Sequence, residues 1–343
     1  MPTWRTHRAI GYRLTLTTAA TICALAITGA AAQQNAAPVS LPQAAVAALN
    51  RTAQGPHPGF RANHAKGVLL TGHFNASKQA ATLSKAAHLR SSAPVPVLVR
   101  FSDATGIPDL PDADPNASPH GMAIRFTLPD KSRTDIVAIS ATYFPVARPE
   151  EFVALLNAIA DSGPGTPAPT PVETFLKAHP TANSWAHTPR PPPQSFATLA
   201  FYGINAFKFT NDAGNEHFGR YQILPAAGQH ALSAEEVKAA SGNYLMDEIQ
   251  QRIAREPVKF RLLVQLAEAG DPTDDGSKPW PDTRKKVELG TITLDGVVQD
   301  QVGEQKRLMF NPLSLPSGIE PSSDPVLLVR PAAYAVSFQQ RAN

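Results

Sequence analysis

The chain has 343 residues, 31 Lys and Arg against 28 Asp and Glu, and 43% hydrophobic against 17% charged residues. That composition excludes intrinsic disorder, collagen and coiled coil, and its 33 prolines exclude a fold made mainly of long uninterrupted helices. The formal charge of +3 gives no footing for a nucleic-acid partner, because Arg5, Arg8 and Arg13 lie in an acid-free stretch of 32 residues beyond which 28 residues of each sign remain.

That stretch, residues 1–32, reads as a secretory signal: three arginines, the uncharged apolar run Leu14 to Ile27, then Ala30-Ala31-Ala32 before Gln33. The expected location is the periplasm. The apolar run is short of the ~20 residues that cross a bilayer. An uncleaved anchor is the alternative, and the only route by which this reading gives the chain a membrane contact. Cys23, the only cysteine, lies inside the segment, so the mature chain has no disulfide and no cysteine-based metal site.

A short helix is predicted at 41–49. Val68 to Phe74 reads as a strand, after which Asn75 is placed to cap a helix over 76–89. Residues 95–101 alternate as a strand, and 122–128 and 135–139 read as the next two. Pro149 opens a helix over 150–160. Asp161 to Pro193 is dense in Pro, Gly and Thr, with one short helix at 172–178. It fits either a linker between domains or a loop wrapped on one domain. Strands at 207–209 and 219–224 flank the turn Asn211 to Gly214. Ser233 opens a capping box, and a helix over 244–255 stops before Pro257. Strands follow at 259–266 and 286–294. Asp324 then caps a C-terminal helix that has Pro325 at its first turn and runs to about Arg341. There is no internal repeat, Gly-rich phosphate loop or paired Cys/His spacing. Clustered strands and helices without strict alternation indicate an α+β fold with an antiparallel sheet or barrel.

The C-terminal helix carries the first chemical signal. Arg330 and Tyr334 are four apart and share a face, and Arg341, seven further on, returns to it. A phenol between guanidinium groups is an electropositive site that favours phenolate, a hard ligand for ferric iron. The same spacing fits a buried tyrosine at a helix interface with two surface arginines. His64, among small residues ahead of a strand, is a candidate acid/base, or a structural histidine. Alternation places Arg100 and Ser102 on one face at the end of a strand, where they could bind a carboxylate and orient an imidazole, or be ordinary exposed polar groups.

Arg61-Ala62-Asn63-His64-Ala65-Lys66-Gly67 resembles the motif R-x-x-H-A-K-G of the haem catalase superfamily. Val99-Arg100-Phe101-Ser102 resembles its V-R-F-S, and Pro119 to Phe126 is similar to P-R-G-F-A-x-K-F. Phe310-Asn311-Pro312, Pro316 to Ser322 and Arg330 to Tyr334 follow the family's order through F-x-P, P-G-I-E-P-S and R-x-x-x-Y. The resemblance runs from Arg61 to Arg341, most closely to the small exported catalase-related peroxidases. It implies one catalase-core haem domain over 33–343, an antiparallel eight-stranded β-barrel with helices around it.

By the same resemblance, haem b is the cofactor and Tyr334 the iron ligand, held as phenolate by Arg330. His64 is the acid/base, with Ser102 as its hydrogen-bond partner. Arg61, Arg100 and Arg341 meet the haem propionates, and Phe144, Phe152 and Phe310 line the haem or its channel. The implied activity is reduction of hydrogen peroxide or organic peroxides by a small organic donor, with weak catalase activity. A hydroperoxide-rearranging haem enzyme and a non-enzymatic haem carrier stay open beside it. The chain is much shorter than a full catalase, so no nicotinamide cofactor is expected. Two positions depart from the family pattern. Ile139 stands where the family has a distal Asn, and Pro331 sits inside the proximal helix, where it removes one backbone donor and could kink the helix.

Overall fold

A computed structural model describes residues 39–342, so the segment read as a signal peptide lies outside the described residues. In chain order the elements are α1 (Leu41–Thr52), β1 (Gly67–Ala76), α2 (Ala80–Leu83), α3 (Ala87–Arg90), β2 (Val95–Ser102), β3 (Gly121–Thr127), β4 (Arg133–Ile139), α4 (Pro149–Ala160), α5 (Pro171–Ala178) and α6 (Pro180–His187). There follow β5 (Phe201–Tyr202), β6 (Phe207–Thr210), β7 (Glu216–Pro225), α7 (Ala234–Ala239), α8 (Tyr244–Ile253), β8 (Val258–Leu266), β9 (Lys286–Val297), α9 (Gln301–Arg307), β10 (Ile319–Pro321) and α10 (Pro325–Ala342).

Eight strands close on themselves in the order β1-β2-β3-β4-β5-β7-β8-β9 and back to β1, every pairing antiparallel. Closure leaves these strands without an open edge. Two short strands, β6 and β10, extend the sheet beyond the barrel from β7. The barrel is filled by one parity of each strand. Val95, Val97, Val99 and Phe101 of β2 join Met122, Ile124 and Phe126 of β3 in the core, with Phe74, Phe201 and Phe260 from other strands. Each fully buried large apolar side chain contributes about 1.5–3 kcal/mol.

The opposite parity faces outward. On β2, β3 and β4 it presents Arg100, Ser102, Gly121, Ala123, Val137 and Ile139, and against this face lie α1, α4 and α10. The register aligns Gly67, Ser102, Gly121, Ile139 and Tyr202 as one rung across five strands.

The structure corrects several expectations. Instead of a helix over 76–89, β1 continues through Ala76, paired with Gly290 of β9. Ser77 Oγ then accepts the N–H groups of Gln79 and Ala80 to start a short turn of helix. That helix ends where the Lys85 N–H turns to the Thr210 carbonyl and Ser84 Oγ to that of Gly318. Long-range partners outcompete local helix propensity here. The stretch 161–193 holds two helices, α5 and α6, and α5 packs on α4. The helix α10 stays continuous through Pro331.

Candidate functional site

A cavity of about 270 Å³ lies between the outer face of β2–β4 and helices α1, α4 and α10. Every site residue read from the sequence borders it: His64, Ser102, Arg61, Arg100, Phe144, Phe152, Phe310, Arg330, Tyr334 and Arg341.

At one end, His64 Nδ1 lies 3.0 Å from Ser102 Oγ. The hydroxyl can donate or accept, so it fits either imidazole tautomer. His64 has φ of +57°, a left-handed conformation that a side chain other than glycine adopts at some cost. Burial lowers its pKa to about 3, aided by the Arg100 charge and opposed by Asp103. The imidazole is therefore neutral at ordinary pH and able to take a proton. Its ring sits over Gly121, where an added Cβ would fall 2.9 Å from the ring.

Along one side stand three guanidinium groups. Arg61 donates to the carbonyls of Gln305 and Leu308, at 3.2 and 2.8 Å. Arg100 donates to Gln305 Oε1 and the Ala65 carbonyl, and Arg341 to the Leu308 carbonyl. None forms a salt bridge with a carboxylate among the described residues, and the buried Nε of Arg341 has no partner. Burial lowers the pKa of Arg100 to about 9, helped by Arg341, and that of Arg341 to about 10. Arg61 is lowered by burial and by both of the other arginines. Such a cluster is stable with an anion beside it. A haem fits, because its two propionates supply the missing negative charge.

At the other end, the Tyr334 hydroxyl oxygen accepts from Arg330 at 2.8 and 3.2 Å. Arg330 also donates to Asn205 Oδ1 at 2.7 Å, and Asn205 donates to Asp324 Oδ2 at 2.7 Å. Asp324 Oδ1 caps α10 through the Val326 N–H at 2.8 Å. The cap, the helix and the phenol thus form one hydrogen-bonded unit. No cluster of three or more His, Cys, Asp or Glu among the described residues could hold a bare metal ion. A haem would bring its own four nitrogens to the iron, and the Tyr334 phenol oxygen would supply the protein's ligand. Between the two ends, Phe144 and Phe152 pack with ring centroids 5.0 Å apart, and Phe310 takes the Arg125 guanidinium over its ring. Apolar walls of this kind suit a flat hydrophobic macrocycle.

Sequence reasoning missed Asn205, which lies far from Arg330 in the chain and in no motif. It also missed Gln305, which accepts from Arg100 and donates to the Gly67 carbonyl at 3.0 Å. Ser337 accepts the Ala62 N–H at 3.1 Å and ties the His64 loop to α10. Behind Ser102, the buried Asp103 holds His120 Nδ1 at 3.0 Å and lies 3.4 Å from Lys66 Nζ, which also pairs with Asp112. Burial raises the Asp112 carboxyl to about 6. The departure at Ile139 lies on the cavity wall, while the neighbouring Ser140 Oγ accepts the His120 N–H at 2.9 Å.

A closed antiparallel barrel with a phenol at one end of an outer cavity and an imidazole at the other is the frame a haem site would need. The catalase family matches residues 57–343, and the chain belongs to it. It is 37% identical over 305 residues to a catalase-related peroxidase of Mycolicibacterium paratuberculosis, covering 88% of this chain and 95% of that protein. It is 34% identical to a catalase-related peroxidase of Synechococcus elongatus, covering 84% and 85%. Among solved structures, catalase A from Saccharomyces cerevisiae superposes with a TM-score of 0.73 at 20% identity, covering 82% of this chain and 61% of that one. The chain thus spans about three fifths of that catalase, whose likeness speaks for the fold.

Proposed function

We propose that this enzyme is a haem b peroxidase that reduces hydrogen peroxide or an organic hydroperoxide with electrons from a small organic donor. One observation carries the reading. A neutral imidazole and an arginine-held phenol border the same cavity, beside three arginines that form no carboxylate salt bridge among the described residues. Tyr334 would hold the iron, Arg61, Arg100 and Arg341 the propionates, and Phe144, Phe152 and Phe310 the ring faces. When bound, a haem would supply the redox chemistry that links peroxide to donor.

The chain's own residues handle the proton. His64 takes it from the near peroxide oxygen and returns it to the far one, so that the O–O bond breaks with water or an alcohol as leaving group. In all, ROOH, two protons and two donor electrons give ROH and water. Ser102 keeps the imidazole oriented. Ile139 offers no hydrogen bond to a second peroxide, so dismutation is weak and organic substrates are tolerated. Export to the periplasm, with cleavage before Gln33, completes the proposal. Mass spectrometry of the exported chain tests that part.

The main experiment is the visible spectrum of purified protein before and after peroxide, with oxygen evolution and aromatic-donor oxidation measured together. Expected are a high-spin ferric haem spectrum, clear donor oxidation and little oxygen. Ile139→Asn should raise oxygen release by ~10-fold, the scale of one modest hydrogen bond. Vigorous oxygen release from the parent, unchanged by Ile139→Asn, would make it a true catalase. Reversible haem exchange without peroxide turnover would make it a carrier.

A further inference from the structure

With Ile139 apolar, His64 needs a second group to hold peroxide, and the polar residues around the cavity can be taken in turn. Ser102 is engaged by His64, and Ser140 by His120. Asn205 is spent on Arg330 and Asp324, and Ser337 on the Ala62 N–H. Tyr202 stands in the same rung as Ile139, but two strands, about 10 Å, away from Gly121, over which the His64 ring sits. Arg61, Arg100 and Arg341 donate to carbonyls and to Gln305, on the side where a dianion fits.

Asn63 remains. It borders the cavity, is half-buried and immediately precedes His64. Its side-chain amide makes no hydrogen bond among the described residues, although Arg61, Ala62 and His64 around it are all engaged. The backbone explains how neighbours can serve one cavity. In extended chain successive side chains point to opposite faces. φ of His64 is one of the torsions that set these two side chains relative to each other, and at +57° it is turned by about half a revolution from an extended value. With that turn in the chain, Asn63 and His64 both border the cavity.

We propose that Asn63 is a substrate-binding residue, whose amide N–H donates a hydrogen bond to peroxide bound beside His64. The role rests on the peroxidase reading above. It holds the first peroxide from the loop side of the cavity, while the barrel side at Ile139 stays without a donor for a second one. An amide donor there holds a small anion or a peroxide oxygen without competing for the proton that His64 must accept.

The experiment uses haem-loaded protein and two readouts at neutral pH: fluoride affinity by absorption titration, and the KM and kcat for hydrogen peroxide. Asn63→Val should weaken fluoride binding by ~10-fold and raise KM for peroxide by a similar factor, with kcat changed far less. Asn63→Asp keeps the shape, removes the donor and adds charge, so its loss should be at least as large. Ile139→Asn introduced into Asn63→Val should restore fluoride affinity to within ~3-fold of the parent, because an amide on either flank serves. Unchanged fluoride affinity and KM in both single variants, with the parent's haem spectrum, overturns this inference and leaves the peroxidase reading intact. Absence of peroxide turnover in the parent overturns both.

Discussion

Gly121 leaves no room for a side chain beneath His64: a Cβ there would lie 2.9 Å from the imidazole Cε1 and Nδ1 and 2.7 Å from Ser102 Oγ. The glycine is required for close approach, and the strand register that puts it beside Ser102 sets the height of the imidazole above the barrel wall. Gly121→Ala should therefore keep its barrel and bind haem but displace His64. The first reaction with peroxide should slow by ~100-fold, the scale of a misplacement of about 1 Å. His64→Ala should give a loss of similar size with haem retained. Stopped-flow rates of Gly121→Ala equal to the parent's would show that the imidazole has slack.

Tyr334→Phe removes the oxygen that accepts both hydrogen bonds from Arg330. Most haem should be lost, or its spin state changed, as read by the visible spectrum of the purified variant. Asn205→Ala should keep haem but loosen Arg330, shifting the phenolate charge-transfer band. A Tyr334→Phe spectrum identical to the parent's excludes Tyr334 as ligand.

Arg341 separates cofactor binding from stability. Its buried guanidinium has an unpartnered Nε, and its carbonyl partner, Leu308, also accepts from Arg61. Arg341→Met should leave the haem-free protein as stable as the parent or more so, because it removes a desolvated charge from a like-charged cluster. Haem affinity should fall by 10-fold or more, the usual scale for one charge-assisted hydrogen bond. Thermal melting and haem titration check the two halves. A large drop in melting temperature without loss of affinity would make Arg341 a structural residue.

Acid should destabilise the barrel through His88. This histidine is 1% exposed, packs between Phe74 and Phe126, and has no partner for Nδ1. Burial lowers its pKa to about 4. The unfolded chain, with an ordinary histidine near 6.5, binds the proton more tightly. Stability is therefore fully present above pH 6.5 and is lost as pH falls toward 4, by about 2 kcal/mol between pH 7 and 5. His88→Leu should flatten that slope in urea unfolding measured at the two pH values. An unchanged slope would assign the acid sensitivity to other groups.

Local sequence determined much of this protein. Spacing of four on a helix put Arg330 against Tyr334, and alternation along β2 put Arg100 and Ser102 on one face, because both follow from backbone periods of 3.6 and 2. Motif order marked the residues that border the cavity. The tertiary structure decided what depends on partners distant in the chain. Barrel closure through the two-residue β5, the break of the expected 76–89 helix and the Asn205 bridge to Arg330 are of this kind. So is the rung that sets Gly121 between Ser102 and Ile139. That the arginine cluster forms no carboxylate salt bridge among the described residues was equally hidden, since charge pairing depends on neighbours in space.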